Sequence, residues 1–152
     1  MHKLIASFFG SGLILRRLRG SDLGSGTVGA LLALPFSIWI GIELGWAGQL
    51  AAAAIVTVVG MWACRPLAGE VGDAGWIVID EVAGLLVSTV GLVAWPALLA
   101  FIGFRFADIM KTWFPGVHQA ESLPGAFGIM TDDLIAGLYA LAIGHLLNAT
   151  VF

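Results

Sequence analysis

"VAGLLVSTVGLVAWPALLAFIGF", residues Val82–Phe104, runs for 23 residues without a charge. That is enough to cross a bilayer as one helix, which needs about 20 apolar residues. The stretch also holds Trp95–Pro96 past its middle, and proline cannot continue a helical hydrogen-bond ladder. One straight span would put Asp80 and Glu81 on one side of a membrane and Arg105 on the other. A hairpin broken near Trp95–Pro96 would return both to the same side. Its arms of about 13–15 residues would then be short for a full crossing.

Charge placement favours the hairpin. With it, every lysine and arginine (Lys3, Arg16, Arg17, Arg19, Arg65, Arg105 and Lys111) lies on one face, and so does every acid except Glu43. Positive charge near span ends marks the cytoplasmic side. The charged face is therefore expected to be cytoplasmic.

The surrounding sequence has the same character. The 152 residues suffice for one domain, 1–152, and are 59% hydrophobic and 11% charged, with a mean hydropathy of +0.98. Soluble domains are roughly 25% charged, so the expected fold is all-α, a multi-span transmembrane bundle of short helices. Further apolar blocks run over Val28–Leu44, Trp46–Ala63 and Leu134–Phe152, with Gly45 and Gly48 near the turn between the first two. Polar connections are expected at Arg65–Gly75 and Lys111–Thr131. The N-terminal "MHKLIASFFGSGLILRRLRG" carries most of its positive charge after its apolar part, the reverse of a cleaved signal. It reads as a short helix at the membrane surface, with Arg16, Arg17 and Arg19 among lipid head groups. A net charge of −3 says little about partners, no nucleic-acid partner is expected, and the lone Cys64 supplies neither a disulfide pair nor metal-ligand spacing.

Two acidic pairs stand at the heads of apolar stretches, Asp80–Glu81 in "WIVIDEVAGLLV" and Asp132–Asp133 in "GIMTDDLIAGLY". Helix neighbours point about 100° apart, so each pair offers a shared centre one carboxylate more readily than two. Oxygen ligands of this kind suit Mg²⁺, which takes one or two carboxylates beside substrate phosphate. The plainer explanation is helix capping, since acids favour helix starts. Capping explains one pair more readily than two on the same face of a chain so poor in charge.

"FRFADIMK" spaces Arg105, Asp108 and Lys111 three residues apart, on one helical side. They form either a salt-bridged helix end, with Asp108 between the two cations, or a phosphate-binding pair of cations that Asp108 orients. Guanidinium suits bidentate phosphate contact, and lysine acts as a point charge. Thr27 in "GSGTVGALLA" could present a hydroxyl and backbone N–H groups to phosphate, though Gly26 and Gly29 fit close helix packing equally well. Asp73 lies in a glycine-rich turn. His118 can exchange a proton near neutral pH but stands in a loop, and His145 is expected simply to hydrogen-bond in the bundle. The sequence lacks the loop of cysteine phosphatases, an Asp-x-Asp-x-Thr motif and the paired histidines of vanadium-peroxidase-like phosphatases. The longer Asp/Gly/Arg array of alcohol phosphotransferases is missing too.

The segments "FFGSGL", "GTVGALLALPF", "IVIDEVAG", "FRFADIMK" and "GAFGIMTDDLIAG" occur in an order that resembles the phosphatidylglycerophosphatase A family. The link "ILRRLRGSDLG" is longer than is usual there, Thr112 stands where proline is usual, and Gly125–Ala126 replaces a double glycine. The resemblance implies an all-α protein of the bacterial inner membrane that removes the terminal phosphate of phosphatidylglycerophosphate with Mg²⁺. It also implies motif positions at Thr27, Asp73, Asp80, Glu81, Arg105, Asp108, Lys111, Asp132 and Asp133. Asp80, Glu81, Asp132 and Asp133 are then expected to hold the metal. Asp80, Asp108, Asp132 and Asp133 are the expected catalytic residues, and Arg105, Lys111 and Thr27 the expected substrate contacts. The nucleophile is either a water or an aspartate, and the lipid tails stay in the membrane. The competing readings are a small transporter using intramembrane carboxylates and a non-catalytic assembly subunit that packs through small residues. A bundle of this size is also a candidate homodimer.

Overall fold

A computed structural model describes residues 1–151; Phe152, which ends the last apolar block, lies outside the described residues. Two short helices, α1 (His2–Ala6) and α2 (Ile14–Arg19), flank a tight turn in which Phe8, Phe9 and Gly10 all have positive φ. The expected N-terminal helix is therefore two pieces. Gly12 lies so close to Trp76 that no side chain fits there, and Val78 N–H donates to Ala6 O at 2.9 Å. The N-terminal segment is thereby tied to the entry of the central hairpin.

The long helix α3 (Ser25–Val71) is broken at Gly45, where φ +66° and ψ −167° suit a residue without Cβ. The break divides it into arms over 25–44 and 46–71. The second arm folds back, since Gln49 Nε2 donates to Ser37 O at 3.1 Å across the turn. This is the turn expected at Gly45. The arm continues through Arg65 and Pro66 to Val71, so much of the connection expected at Arg65–Gly75 is helical. Ala63, Cys64 and Leu67 on that stretch are buried. Their packing outweighs the proline penalty of roughly 3 kcal/mol.

The stretch Val82–Phe104 is a hairpin, as its charge pattern implies. Its arms are α4 (Ile79–Ser88) and α5 (Ala94–Ile109), of 10 and 16 residues. Arg105 Nη1 lies 3.7 Å from Glu81 Oε1, so the C-terminal end of α5 returns to the head of α4. The break falls at Thr89–Val93, upstream of Trp95–Pro96. Gly91 in the break and Ala94 at the start of α5 have positive φ, and Thr89 Oγ1 donates back to Leu85 O at 3.0 Å. Pro96 instead sits in the first turn of α5, where a missing N–H costs nothing.

After a 3₁₀ turn at Lys111–Trp113 and a short α6 (Val117–Glu121), the helix α7 (Ala126–Val151) closes the bundle. The connection expected over Lys111–Thr131 thus already contains the first turn of α7. Helices α4 and α7 cross where Gly84 and Gly137 face one another. A Cβ at Gly137 would stand 2.5 Å from Gly84 O, and one at Gly84 would stand 2.6 Å from Asp133 O. The two glycines set how closely the acidic ends of these helices approach.

At the opposite end, Gln49 is fully buried. Besides Ser37 O, its Nε2 donates to Leu92 O at 3.0 Å, and its Oε1 accepts from Gly91 N–H at 2.7 Å. Ser37 Oγ and Thr89 Oγ1 pair at 2.6 Å, and His145 Nε2 meets Val90 O at 2.9 Å. These contacts satisfy the polar groups freed where both hairpins turn.

Among the described residues, two helices are long and apolar enough to cross a membrane, Ser25–Val71 and Ala126–Thr150, and only 28% of the most apolar window of the first is buried. Trp39, Trp46, Ile55, Val58, Leu138 and Leu146 are exposed. Soluble monomers rarely display contiguous apolar surface on this scale. An all-α membrane protein accounts for it.

Candidate active site

The acids assemble at the end of the bundle where α4 begins. Asp80 and Glu81 occupy the first turn of α4, yet no side chain caps that helix. Asp80 Oδ1 accepts only the neighbouring Glu81 N–H, at 3.0 Å. Asp132 and Asp133 stand in the second turn of α7, since that helix begins at Ala126. Capping thus explains neither pair.

Carboxylate oxygens of Asp80, Glu81 and Asp133 all lie within 4.8 Å of one another. Asp80 and Asp133 are buried, with 4% and 3% of their surface exposed. The glycine crossing of α4 and α7 produces this approach, because each acid lies one helical turn before its helix's glycine. Gly26 at the start of α3 is also required, as any Cβ there would collide with the Glu81 carboxylate. Thr27 follows it, half-buried, on the same first turn of α3.

Two cations flank the cluster. Arg105 Nη1 lies 2.6 Å from Asp108 Oδ2, as the i,i+3 spacing implies, and 3.7 Å from Glu81 Oε1. Lys111 differs from expectation. Helix α5 ends at Ile109, and the following 3₁₀ turn swings Lys111 away from Asp108. Its Nζ donates to Asp132 Oδ2 at 2.6 Å and lies 3.4 Å from Glu121 Oε1. Burial disfavours the lysine charge, but the hydrogen bond and charge of Asp132 outweigh that, so its pKa is raised. The neighbours Asp132 and Asp133 therefore point apart, one to Lys111 and the other to Asp80 and Glu81.

Asp73 and His118 lie at the rim. Asp73 is exposed and lines a small pocket of about 190 Å³ with Glu121. His118 is exposed, with Nδ1 3.5 Å from Glu121 Oε2. Sequence reasoning missed Glu121 because it belongs to no acidic pair; its spacing of three from His118 on one short helix was the available signal. It also treated Gly84 and Gly137 as motif ends rather than as the crossing that builds the site.

Five carboxylates (Asp80, Glu81, Asp108, Asp132 and Asp133) share this region with two cations. Among the described residues, Glu81 Oε2, Asp132 Oδ1, Asp133 Oδ1 and Arg105 Nε are buried without a hydrogen-bond partner. Buried polar groups of this kind are costly unless something completes them. The surplus of negative oxygen suits a hard divalent cation, and the free guanidinium nitrogen suits an anion. The residues therefore fit a metal and a phosphate held side by side.

Helical architecture, exposed apolar surface and this cluster of acids beside two cations fit the class of small membrane phosphatases. The chain belongs to the phosphatidylglycerophosphatase A family, whose profile matches residues 4–148. It is 34% identical to phosphatidylglycerophosphatase A of Haemophilus influenzae, over 92% of this chain and 84% of that protein. To phosphatidylglycerophosphatase A of Escherichia coli it is 32% identical, over 92% and 79%. A Bacteroides thetaiotaomicron protein named "Putative phosphatidylinositol-3-phosphatase" is 33% identical, over 92% of this chain and 89% of that one. No solved structure matches the chain.

Proposed function

We propose that this phosphatase hydrolyses the terminal phosphate monoester of phosphatidylglycerophosphate to phosphatidylglycerol, with Mg²⁺, at the cytoplasmic face of the bacterial inner membrane. The observation that carries the proposal is the meeting of Asp80, Glu81 and Asp133 within 4.8 Å, in a chain of this family. Both hairpins return their charged ends to the same side of the bundle, which supports the cytoplasmic assignment.

Asp80, Glu81 and Asp133 would hold the cation, with Asp132 beside them. When bound, it supplies charge neutralisation to the phosphate and to the loose transition state of phosphoryl transfer. Arg105, held by Asp108, presents its guanidinium to the phosphate oxygens. Lys111 adds a second positive charge, and Asp132 and Glu121 fix its position. Thr27, on the first turn of α3 beside Glu81, contributes a hydroxyl to the same phosphate. The ester P–O bond breaks, the leaving glycerol oxygen takes a proton, and water supplies the oxygen and proton that complete the departing inorganic phosphate. Asp80, Glu81, Asp132 and Asp133 gather near the starts of their helices and none lies mid-span, which also argues against an ion path, for which charge would be needed along the spans.

The test is phosphate release from phosphatidylglycerophosphate in mixed micelles, with Mg²⁺ and after chelation. Phosphatidylinositol 3-phosphate is assayed alongside, because one relative carries that name. Release that requires Mg²⁺ and favours phosphatidylglycerophosphate supports the proposal. Release from the inositol lipid alone would move the substrate assignment there, and release that survives chelation would remove the cation from it.

A further inference from the structure

A separate cavity lies outside the acid cluster. It is a laterally open groove of about 1040 Å³ between the arms of α3, floored by α4 and covered at its charged end by the N-terminal segment. Leu32 and Phe36 line one wall, Ala52 and Val56 the other, and Val82 and Leu86 the floor. Val82 immediately follows Glu81, so the floor begins where the carboxylate cluster ends. Lys3 and Arg17 are the charged residues of the lining, and both are exposed. From Leu32 to Ile40, which also lines the groove, the helix rises roughly 12 Å. That is most of one leaflet of a hydrocarbon core about 30 Å thick.

We infer that this groove holds one acyl chain of the phospholipid substrate, with the inner phosphodiester between Lys3 and Arg17 and the terminal phosphate at the carboxylate cluster. The inference rests on the phosphatase reading and adds where the lipid lies: one tail leaves bulk lipid for a protein surface while the other stays outside. Three features support this occupant. The lining is apolar along its length, cations stand at one end only, and that end adjoins the site. A lipid with an anionic head and a long tail matches the pattern. The structure also gives the N-terminal segment a task, since Ser7, Phe8 and Ser11 form the groove's cover and the backbone bond from Val78 to Ala6 holds that cover against α4.

The experiment uses the full chain in lipid nanodiscs with phosphatidylglycerol carrying a mid-chain diazirine, photolysed and mapped by mass spectrometry. Adducts are expected to concentrate on Leu32, Phe36 and Val56. Adducts spread evenly over outward residues such as Ile42, Val58 and Leu138 would overturn the proposal. The exposed double variant Lys3→Ser/Arg17→Ser is expected to lower groove labelling by phosphatidylglycerol and leave labelling by a diacylglycerol probe, which has no phosphodiester, unaltered; equal loss with both probes counts against it. In a kinetic arm, Ala52→Trp fills the groove, and loss of contact with only two methylenes costs about tenfold in affinity. The ratio of kcat/KM for a dioleoyl over a dihexanoyl substrate should therefore fall about tenfold. Any unfolded fraction cancels in that ratio, and an unchanged ratio refutes the groove. If wild-type protein releases no phosphate from any lipid, the phosphatase reading fails while the labelling result stands. If it releases phosphate but labels evenly, the groove alone fails.

Discussion

Gly137→Ala asks whether the crossing of α4 and α7 sets the geometry of the acid cluster. The added Cβ would stand 2.5 Å from Gly84 O, 3.2 Å from Gly84 C and 3.3 Å from Gly84 Cα, all of them backbone atoms with no rotamer to yield. Ordinary contact begins near 3.4 Å, so the helices must part by about 0.9 Å. Alanine favours the helix by up to about 1 kcal/mol, while overpacking costs about 1–3 kcal/mol. The net change in stability is thus a loss of roughly 0–2 kcal/mol. Catalysis is the more sensitive readout. Asp80 and Asp133 each precede the crossing by one turn, and misplacement by an ångström costs on the order of 100-fold. The expected result is a fall in kcat of about 30- to 100-fold, with apparent Tm in detergent lower by a few degrees at most. Gly69→Ala is the control, because it is helical and a Cβ there meets nothing within 4 Å. It should gain up to about 1 kcal/mol of stability at unchanged kcat. Wild-type kcat in folded Gly137→Ala protein would refute the claim that this contact positions the carboxylates.

Three further perturbations separate the parts of the site from the frame around it. Asp133→Asn and Asp80→Asn should each lower kcat at least about 100-fold while the helical circular dichroism signal is kept; full activity in either removes that residue from the centre. Lys111→Met leaves Asp132 buried without its partner and should destabilise by about 1–4 kcal/mol. The double variant Lys111→Met/Asp132→Asn should regain most of that stability but not the activity, and thermal unfolding beside phosphate release tells the two effects apart. Gln49→Leu strands Gly91 N–H and Leu92 O at the far end of the bundle and should cost about 1–3 kcal/mol. The protein that remains folded should keep its kcat, and a loss of turnover per folded molecule would show that the two ends are coupled.

Much of this architecture is legible in the sequence because a membrane leaves few choices. The long apolar runs, the turn at Gly45 and the two acidic pairs each stand out against a background that is 11% charged. The hairpin in Val82–Phe104 follows from where the cations must lie. Its position does not, because the turn is made by Thr89, Gly91 and a buried Gln49 forty residues upstream, and proline occupies the following helix start instead. The helical stretch from Arg65 to Val71 is hidden for a similar reason: burial of Cys64 and Leu67 overrides the local signal of Pro66. At the site, residue types are readable while pairings are not. Spacing places Lys111 beside Asp108, but the end of α5 at Ile109 delivers it to Asp132. Glu121 joins through tertiary approach alone.

The division of the acid cluster between α4 and α7 has a consequence for how the protein comes into being. Asp80 and Glu81 emerge from the ribosome more than fifty residues before Asp133. A nascent chain whose final helix has not yet docked possesses two of the three converging oxygens and lacks the wall that Gly137 brings against Gly84. On the proposed mechanism, hydrolytic competence would then be withheld until the last helix docks, and a half-translated molecule would leave the lipids around it intact.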